Sequence, residues 1–389
     1  MKANKAFYAI VSLFFLWALA HNLNPILIPH LKQACRLSDM QSAWVDSAFY
    51  IAYFLMALPA GWLIEKMGYQ KTIVMGLALF STGAFLFIPA ANATSYPLFL
   101  MALFVVASGL TFLETAANPY VTILGPENEA PRRLNFAQAF NGLGATIAAF
   151  AGSKLILSDN HLTRDANLVQ TPYLTIGILV AIVMLIFMRL KLPKIKTERP
   201  TSFSLHRLLQ YPQLRKALLA QFVYVGAQVG VGSFFIRYCS LYQISQESAG
   251  TYLSIALLLF MCGRFFGSWL MHKIEANILL RTYALISMAL MVFAIWGSGV
   301  ATVYALVGTQ FFMSIMFPTH FTNGLKGLGE DSKYGSSLLV MTISGGAILP
   351  PIMGALSDKY GIQFAYLVPL VCFALIAFLA NNKSKQPAT

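Results

Sequence analysis

Apolar stretches of about 20 residues, each long enough to cross a hydrocarbon layer about 30 Å thick, recur from end to end of this chain. In a bilayer every backbone N–H and C=O must find its partner inside the protein, so runs of this length span as helices. Hydrophobic residues make up 58% of the 389 and charged residues only 11%, against about a quarter in a soluble domain, and mean hydropathy is +0.66. The pattern predicts an all-α integral membrane protein with twelve transmembrane helices. The first six are expected at Phe7–Leu31, Ser42–Leu63, Thr72–Ala91, Leu98–Leu124, Leu134–Leu157 and Tyr173–Leu190. The second six are expected at Lys216–Leu241, Ala249–Met271, Ile278–Trp296, Thr302–Leu325, Gly335–Leu356 and Phe364–Ala380. The first of the twelve spans, Phe7–Leu31, lacks a small-residue cleavage site and continues through a polar, proline-containing half, unlike a signal peptide.

Charge sets the orientation. The net charge is +13, but the basic residues lie at span ends rather than in one patch, which argues against a nucleic-acid partner. With the amino terminus in the cytoplasm, 21 of the 27 Lys and Arg fall on that side and six on the other. The positive-inside rule therefore places both termini in the cytoplasm, in a multi-pass protein of the cell inner membrane. Cys35, Cys239, Cys262 and Cys372 are scattered and lack metal spacing, and no nucleophile–base pair stands out. The chain is expected to be no enzyme and to need no metal or organic cofactor.

One composition break divides the chain. The basic, proline-containing segment 191–212 separates six spans from six, giving bundles at 1–190 and 213–389 joined by a cytoplasmic linker. The halves resemble each other weakly. GWLIEKMG, starting at Gly61, is echoed 206 residues later by GSWLMHKI at Gly267, and Pro119 of the fourth span is echoed 199 residues later by Pro318 of the tenth. Two pseudo-symmetric six-helix bundles suit a transporter with a substrate site near the bilayer midplane.

The polar residues inside the spans are the candidates for that site. Glu114 sits in the middle of the fourth span, where an ionised carboxylate is expensive and normally faces a protein interior or a watery cavity. Thr111, Glu114, Asn118 and Thr122 follow at three- and four-residue steps, on one helical face. Pro119 has no N–H to give and so frees the carbonyl of Thr115. A structural carboxylate bonded to a neighbouring helix is the plainer alternative. Further polar sets are Trp17, His21, Asn22 and Asn24 in the first span and Asn135, Gln138 and Asn141 in the fifth. Gln221, Tyr224 and Gln228 follow in the seventh, and Thr319, His320 and Asn323 in the tenth. Amides both donate and accept, so with aromatics alongside they suit a neutral, polyhydroxylated ligand. Singly, such amides also serve as glue between membrane helices. Asp46, in the second span, is either a first-turn acid complementing the helix dipole or a coupling carboxylate that works with Glu114.

Several stretches together carry a resemblance. WALAHNLNPILIPHL (17–31), LETAANPYVTILGPE (113–127), RLNFAQAFNGLGA (133–145), AQFVYVGAQ (220–228), IRY (236–238) and KYGSSLLVMTISGG (333–346) are similar to the fucose permease family of the major facilitator superfamily. The resemblance implies the major facilitator fold, alternating access, and cation-coupled import of a monosaccharide such as glucose, galactose or fucose. It also implies roles for Glu114, in substrate binding and proton coupling, and for Asn22, Asn24 and Gln138 in the sugar site; with the polar residues read from the spans above, the candidates are as follows. Glu114 and Asp46 are candidates for cation coupling. Asn22, Asn24, Asn118, Gln138, Asn141, Gln221, Tyr224, Gln228, Phe317 and His320 are candidates for substrate binding. The loop GWLIEKMGYQKT resembles the superfamily's signature after the second span, and with GRFFGSWLMHK it makes Glu65, Lys66 and Arg264 gating candidates. Anchoring at the membrane face is the alternative for these bases. The chain departs from the family at Pro25, where an acid is usual, at Phe317, where a tyrosine is usual, and at Gly232, in place of a tryptophan. H⁺ is the expected coupling ion, with Na⁺ the alternative. An exporter of amphipathic compounds and a sugar-sensing receptor are weaker readings. The expected partners are the sugar and the lipid bilayer, and the working unit is a monomer.

Overall fold

The computed structural model of the chain describes residues 2–22, 31, 34–36, 39–156, 169–190, 192–193 and 203–381. The first half supplies α1 (Lys2–His21), α2 (Asp39–Met67), α3 (Tyr69–Asn92), α4 (Tyr96–Ile123), α5 (Ala130–Ile156) and α6 (Gln170–Arg189). The second half begins with α7 (Pro212–Cys239), α8 (Gln246–Leu270), α9 (Ala276–Trp296) and α10 (Ala301–Met313). It continues with α11 (Met316–Leu325), α12 (Ser332–Met341), α13 (Gly345–Tyr360) and α14 (Leu367–Asn381). Ten stretches among the described residues are long and apolar enough to cross a bilayer. Helix α1, apolar over Ala6–His21, and α5 stand at the first and fifth expected spans.

Two expected spans are broken. The tenth is α10 followed by α11, parted at Ser314 and Ile315. Pro318 lies four residues after Ser314 and has no N–H to return to its carbonyl, so the helical ladder opens there. The eleventh is α12 and α13, parted by a 3-10 turn at Thr342–Ser344. There Gly345 lies so close to the Phe222 carbonyl that a Cβ would collide with it. Helix α4, by contrast, runs unbroken through Pro119.

The chain groups into two compact units that cut across the sequence halves. The first holds 1–124, 140–203 and 330–341, and the second holds 125–139, 204–329 and 342–389, as far as these are described. At the centre of the first unit lies α4, in which every residue from Val106 to Val121 is buried. A helix apolar nearly all round is a core helix. Helices α2, α3 and α12 pack against it, and α6 packs on α3. Gln70 on α3 donates to the Phe187 carbonyl at 2.9 Å, and Tyr120 Oη donates to Pro193 O at 2.9 Å, which ties the end of α6 and the chain after it to this core.

Close approach of α3 and α4 depends on glycine. A Cβ on Gly109 would stand 2.5 Å from the Phe80 nitrogen and 2.6 Å from the Gly76 carbonyl oxygen, both of them backbone atoms that cannot swing away. Gly109→Ala is therefore expected to destabilise the protein by about 1–3 kcal/mol, the usual cost of overpacking. Thermal unfolding in detergent measures this, with Gly250→Ala as the control, since a Cβ there meets no atom within 4 Å.

In the second unit α7 is central, packed on α8, α11, α13 and α14, while α9 packs on α10 and α14. Apolar side chains cover the outer faces. Ile178, Ile182, Leu185, Ile186 and Met188 of α6 are all exposed, as lipid-facing residues should be. The sequence repeat has a structural counterpart at the ends of α2 and α8. Lys66 Nζ lies 4.7 Å from the ring centre of exposed Trp62, and Lys273 Nζ lies 5.2 Å from that of exposed Trp269. Both are i, i+4 cation–π pairs at a span end, where amphipathic tryptophans settle in the headgroup layer.

Candidate functional site

Each unit builds its own polar cluster. In the first, the Glu114 carboxylate is 8% exposed and accepts a hydrogen bond from Tyr53 Oη of α2 at 2.9 Å. Tyr53 is fully buried, with the ring of Phe49 5.4 Å from its own, and His21 of α1 meets Phe49 edge-on at 4.9 Å. The Glu114–Tyr53 pair is thus walled by aromatic rings, which keep the acid in a low-dielectric setting where a proton or a bound cation offsets much of its cost.

One turn on, the carbonyl that Pro119 frees is put to use. Thr115 O accepts from Ser336 Oγ of α12 at 2.8 Å. That bond joins the fourth span to a helix 221 residues away in the chain. Alongside, Glu65 at the end of α2 is 3.5 Å from Lys333 Nζ and also accepts from Tyr334 Oη. Lys333 and Glu65 are 5% and 15% exposed, so this pair is far less screened than a surface ion pair. Lys66 lies over Trp62 instead, at the membrane face.

In the second unit the Pro318 break has a matching partner. Arg264 of α8, 4% exposed, donates through Nε to Ser314 O at 3.1 Å, the carbonyl that lacks its helical N–H. Through Nη1 it donates to Gln138 O of α5 at 2.6 Å, and its guanidinium lies 4.5 Å from the Phe260 ring centre. One fork therefore holds the broken tenth span and the beginning of the fifth. Asn135 Nδ2 reaches Thr319 Oγ1 at 3.5 Å as well as Pro131 O at 2.8 Å. Gln221 and Tyr224 of α7 and His320 of α11 are buried in the same unit.

The sequence pattern of the Major Facilitator Superfamily matches residues 7–333. The L-fucose-proton symporter of Escherichia coli strain K12 is 44% identical over 412 residues, covering 98% of this chain and 94% of that protein. The glucose/galactose transporter of Brucella abortus is 40% identical over 389 residues, again covering 98% and 94%. A crystal structure of the E. coli fucose:proton symporter superposes with a TM-score of 0.90 at 41% identity, over 99% of this chain and 100% of that one. The chain belongs to the fucose permease family of the major facilitator superfamily. It has the twelve-helix, two-bundle major facilitator fold, and it is a membrane transporter rather than an enzyme.

Within this permease the expected residues fall as follows. Glu114, Asn118, Gln138, Gln221, Tyr224, His320 and Phe317 are buried, while Asn22, Asn141 and Gln228 are half-buried. Asn22 Nδ2 bonds back to Ala18 O at 2.8 Å at the end of its own helix, and Asn141 Nδ2 reaches Phe14 O at 3.3 Å. Gln138 falls in the second unit and Asn141 in the first, so the fifth span divides between them. Asn24 lies outside the described residues. Asp46 lies on α2 two turns before Tyr53, about 10 Å along the axis, and its side chain is also outside the described residues. A Cβ on Gly232 meets no atom within 4 Å, so there is open space beside this departure from the family.

Sequence reasoning missed Tyr53, Ser336, Lys333 and Tyr334. Tyr53 left a trace, since it stands seven residues after Asp46 and so on one face of α2 with it. Ser336 left none: a serine in an apolar helix donates wherever a neighbouring helix leaves a carbonyl free.

Proposed function

We propose that this permease imports a monosaccharide (a hexose or deoxyhexose such as glucose, galactose or fucose) coupled to H⁺ by alternating access. It works as a monomer in the cell inner membrane with both termini in the cytoplasm. The observation that carries the reading is the buried Glu114 carboxylate at midspan, which accepts a hydrogen bond from the Tyr53 hydroxyl at 2.9 Å. A carboxylate in that setting is suited to taking up a proton on one side of the membrane and releasing it on the other. The relatives' names support the same reading, one being a fucose–proton symporter and another a glucose/galactose transporter.

The sodium alternative has one specific feature in its favour: Thr115 Oγ1 is a buried oxygen without a hydrogen-bond partner among the described residues. Adjacent helical residues point about 100° apart, which turns that oxygen away from Glu114. Proton coupling therefore fits better.

Uptake of labelled glucose, galactose and fucose into proteoliposomes, with each ion gradient imposed separately, tests both. Accumulation driven by an inward H⁺ gradient is expected, with the Na⁺ gradient alone giving equilibration only. Concentrative uptake driven by Na⁺ would overturn the proton reading. Failure to exchange any sugar of the panel would overturn the sugar reading.

A further inference from the structure

Gln221 and Tyr224 stand three residues apart on one face of α7, and His320 stands two residues after Pro318 on α11, the helix packed against that face. Gln221 and Tyr224 are fully buried and His320 is 4% exposed. The rings of Tyr224 and His320 have centres 6.2 Å apart. Gln221 Oε1, Gln221 Nε2, Tyr224 Oη and His320 Nε2 have no hydrogen-bond partner among the described residues.

Such a concentration is unusual in this unit. Elsewhere in it, Tyr238 Oη donates to Ala294 O at 2.6 Å, Asn323 donates to Asn277 at 2.7 Å, and Thr309 and Thr319 donate to the preceding turn at 2.8 and 2.7 Å. Asn135 Oδ1, Tyr242 Oη and Tyr283 Oη are also unpaired among the described residues, but each is a single atom on a different segment, whereas α7 and α11 bring four together. Leucine or phenylalanine at the three positions would remove the burden of the unpaired polar atoms at once.

The chemistry of the set points to its occupant. An amide offers two donors and an acceptor, a phenol one of each, and a neutral imidazole one nitrogen of each kind. A hydroxyl group can satisfy either side of every one of them. No carboxylate belongs to the set, and the neighbouring cation, Arg264, is directed to the Ser314 and Gln138 carbonyls and the Phe260 ring. A charged ligand would lack a counter-charge here, whereas a neutral polyol would not need one.

We infer that Gln221, Tyr224 and His320 form a neutral hydroxyl-binding subsite within the second unit, which selects the transported monosaccharide by its hydroxyl pattern. This rests on the sugar-importer reading. A site shaped to bond a substrate hydroxyl discriminates strongly against the analogue lacking it, because its own buried groups are then stranded.

The test is equilibrium binding to the purified full-length protein by calorimetry. The probes are glucose, galactose and fucose with their singly deoxygenated derivatives, on the wild type and on Tyr224→Phe and His320→Leu. Tyr224→Phe removes one oxygen and keeps the shape, so it carries the test should His320→Leu fail to fold. Tyr224→Phe is expected to weaken binding of the parent sugar about tenfold, yet to leave unchanged the affinity for the one derivative that lacks the partner hydroxyl. His320→Leu is expected to do the same at a different position on the ring. Wild-type affinity of Tyr224→Phe for every sugar would mean that the niche holds water or only packs helices, and would overturn the subsite while the importer reading stands. Equal losses across parent and all derivatives would overturn it too, by showing an indirect effect. If the wild type binds none of the panel, the importer reading falls and the subsite with it.

Discussion

Glu114→Gln is expected to abolish accumulation of sugar against its gradient while leaving exchange of sugar across the membrane in place. The amide has nearly the shape of the acid and can still accept from Tyr53 Oη, which is 2.9 Å from the carboxylate in the native protein. It cannot take up or release a proton, so the step that links sugar movement to the H⁺ gradient is lost and the sugar pathway remains. Counterflow in proteoliposomes reads exchange, and gradient-driven uptake reads coupling. Tyr53→Phe should give a milder form of the same defect, because it removes one hydrogen-bond donor to the carboxylate but leaves it titratable. Full concentrative uptake by Glu114→Gln would remove this residue from the coupling role, and loss of exchange together with accumulation would make it a sugar ligand as well.

The second large effect is expected at Arg264. Arg264→Met empties a fork that donates to Ser314 O at 3.1 Å and to Gln138 O at 2.6 Å, and leaves both carbonyls buried without that donor. Hydrogen bonds to charged groups contribute about 1.5–3 kcal/mol each, so the loss should reach about 3 kcal/mol and abolish transport. Arg264→Lys should not restore it, because an ammonium is a point charge and not a planar fork that reaches two helices at once. The origin of the effect can be isolated with Pro318→Ala, which returns an N–H to the helical ladder opposite Ser314 O. In that background Arg264→Met should cost measurably less than in the wild type, a coupling that thermal unfolding of the four proteins in detergent resolves. Strict additivity would show that the guanidinium does not serve the proline-freed carbonyl.

Pro119 and Pro318 show how far a single sequence reaches. From the chain alone, a proline in the fourth span frees the Thr115 carbonyl, since that follows from one residue's missing N–H. Nothing in the same window tells which group answers the carbonyl, or whether the helix breaks. In the fourth span the answer is a serine 221 residues away and the helix stays whole; in the tenth it is an arginine 50 residues away and the helix breaks. The same holds for Glu114. Its burial was legible as an acid in the middle of an apolar run, whereas its partner Tyr53 is 61 residues distant and was not. Asn22 likewise has a partner that the sequence did not name, the Ala18 carbonyl of its own helix.

What the sequence determined by itself is what depends on local periodicity and on solvent. Apolar runs of bilayer length require helices, and an acid at midspan must be buried for a reason. Its longer motifs also carried the family. Only the tertiary structure decided which segments belong together. Residues 125–139 group with the second unit and 330–341 with the first, so each half of the sequence gives one stretch to the other's unit. That exchange places Arg264 against Gln138 O and Ser336 against Thr115 O. The physical reason is that a helix satisfies its own backbone, so its sequence specifies a face but not the neighbour that face will meet. The neighbour is chosen by close packing and by the few polar groups that the helix leaves unpaired.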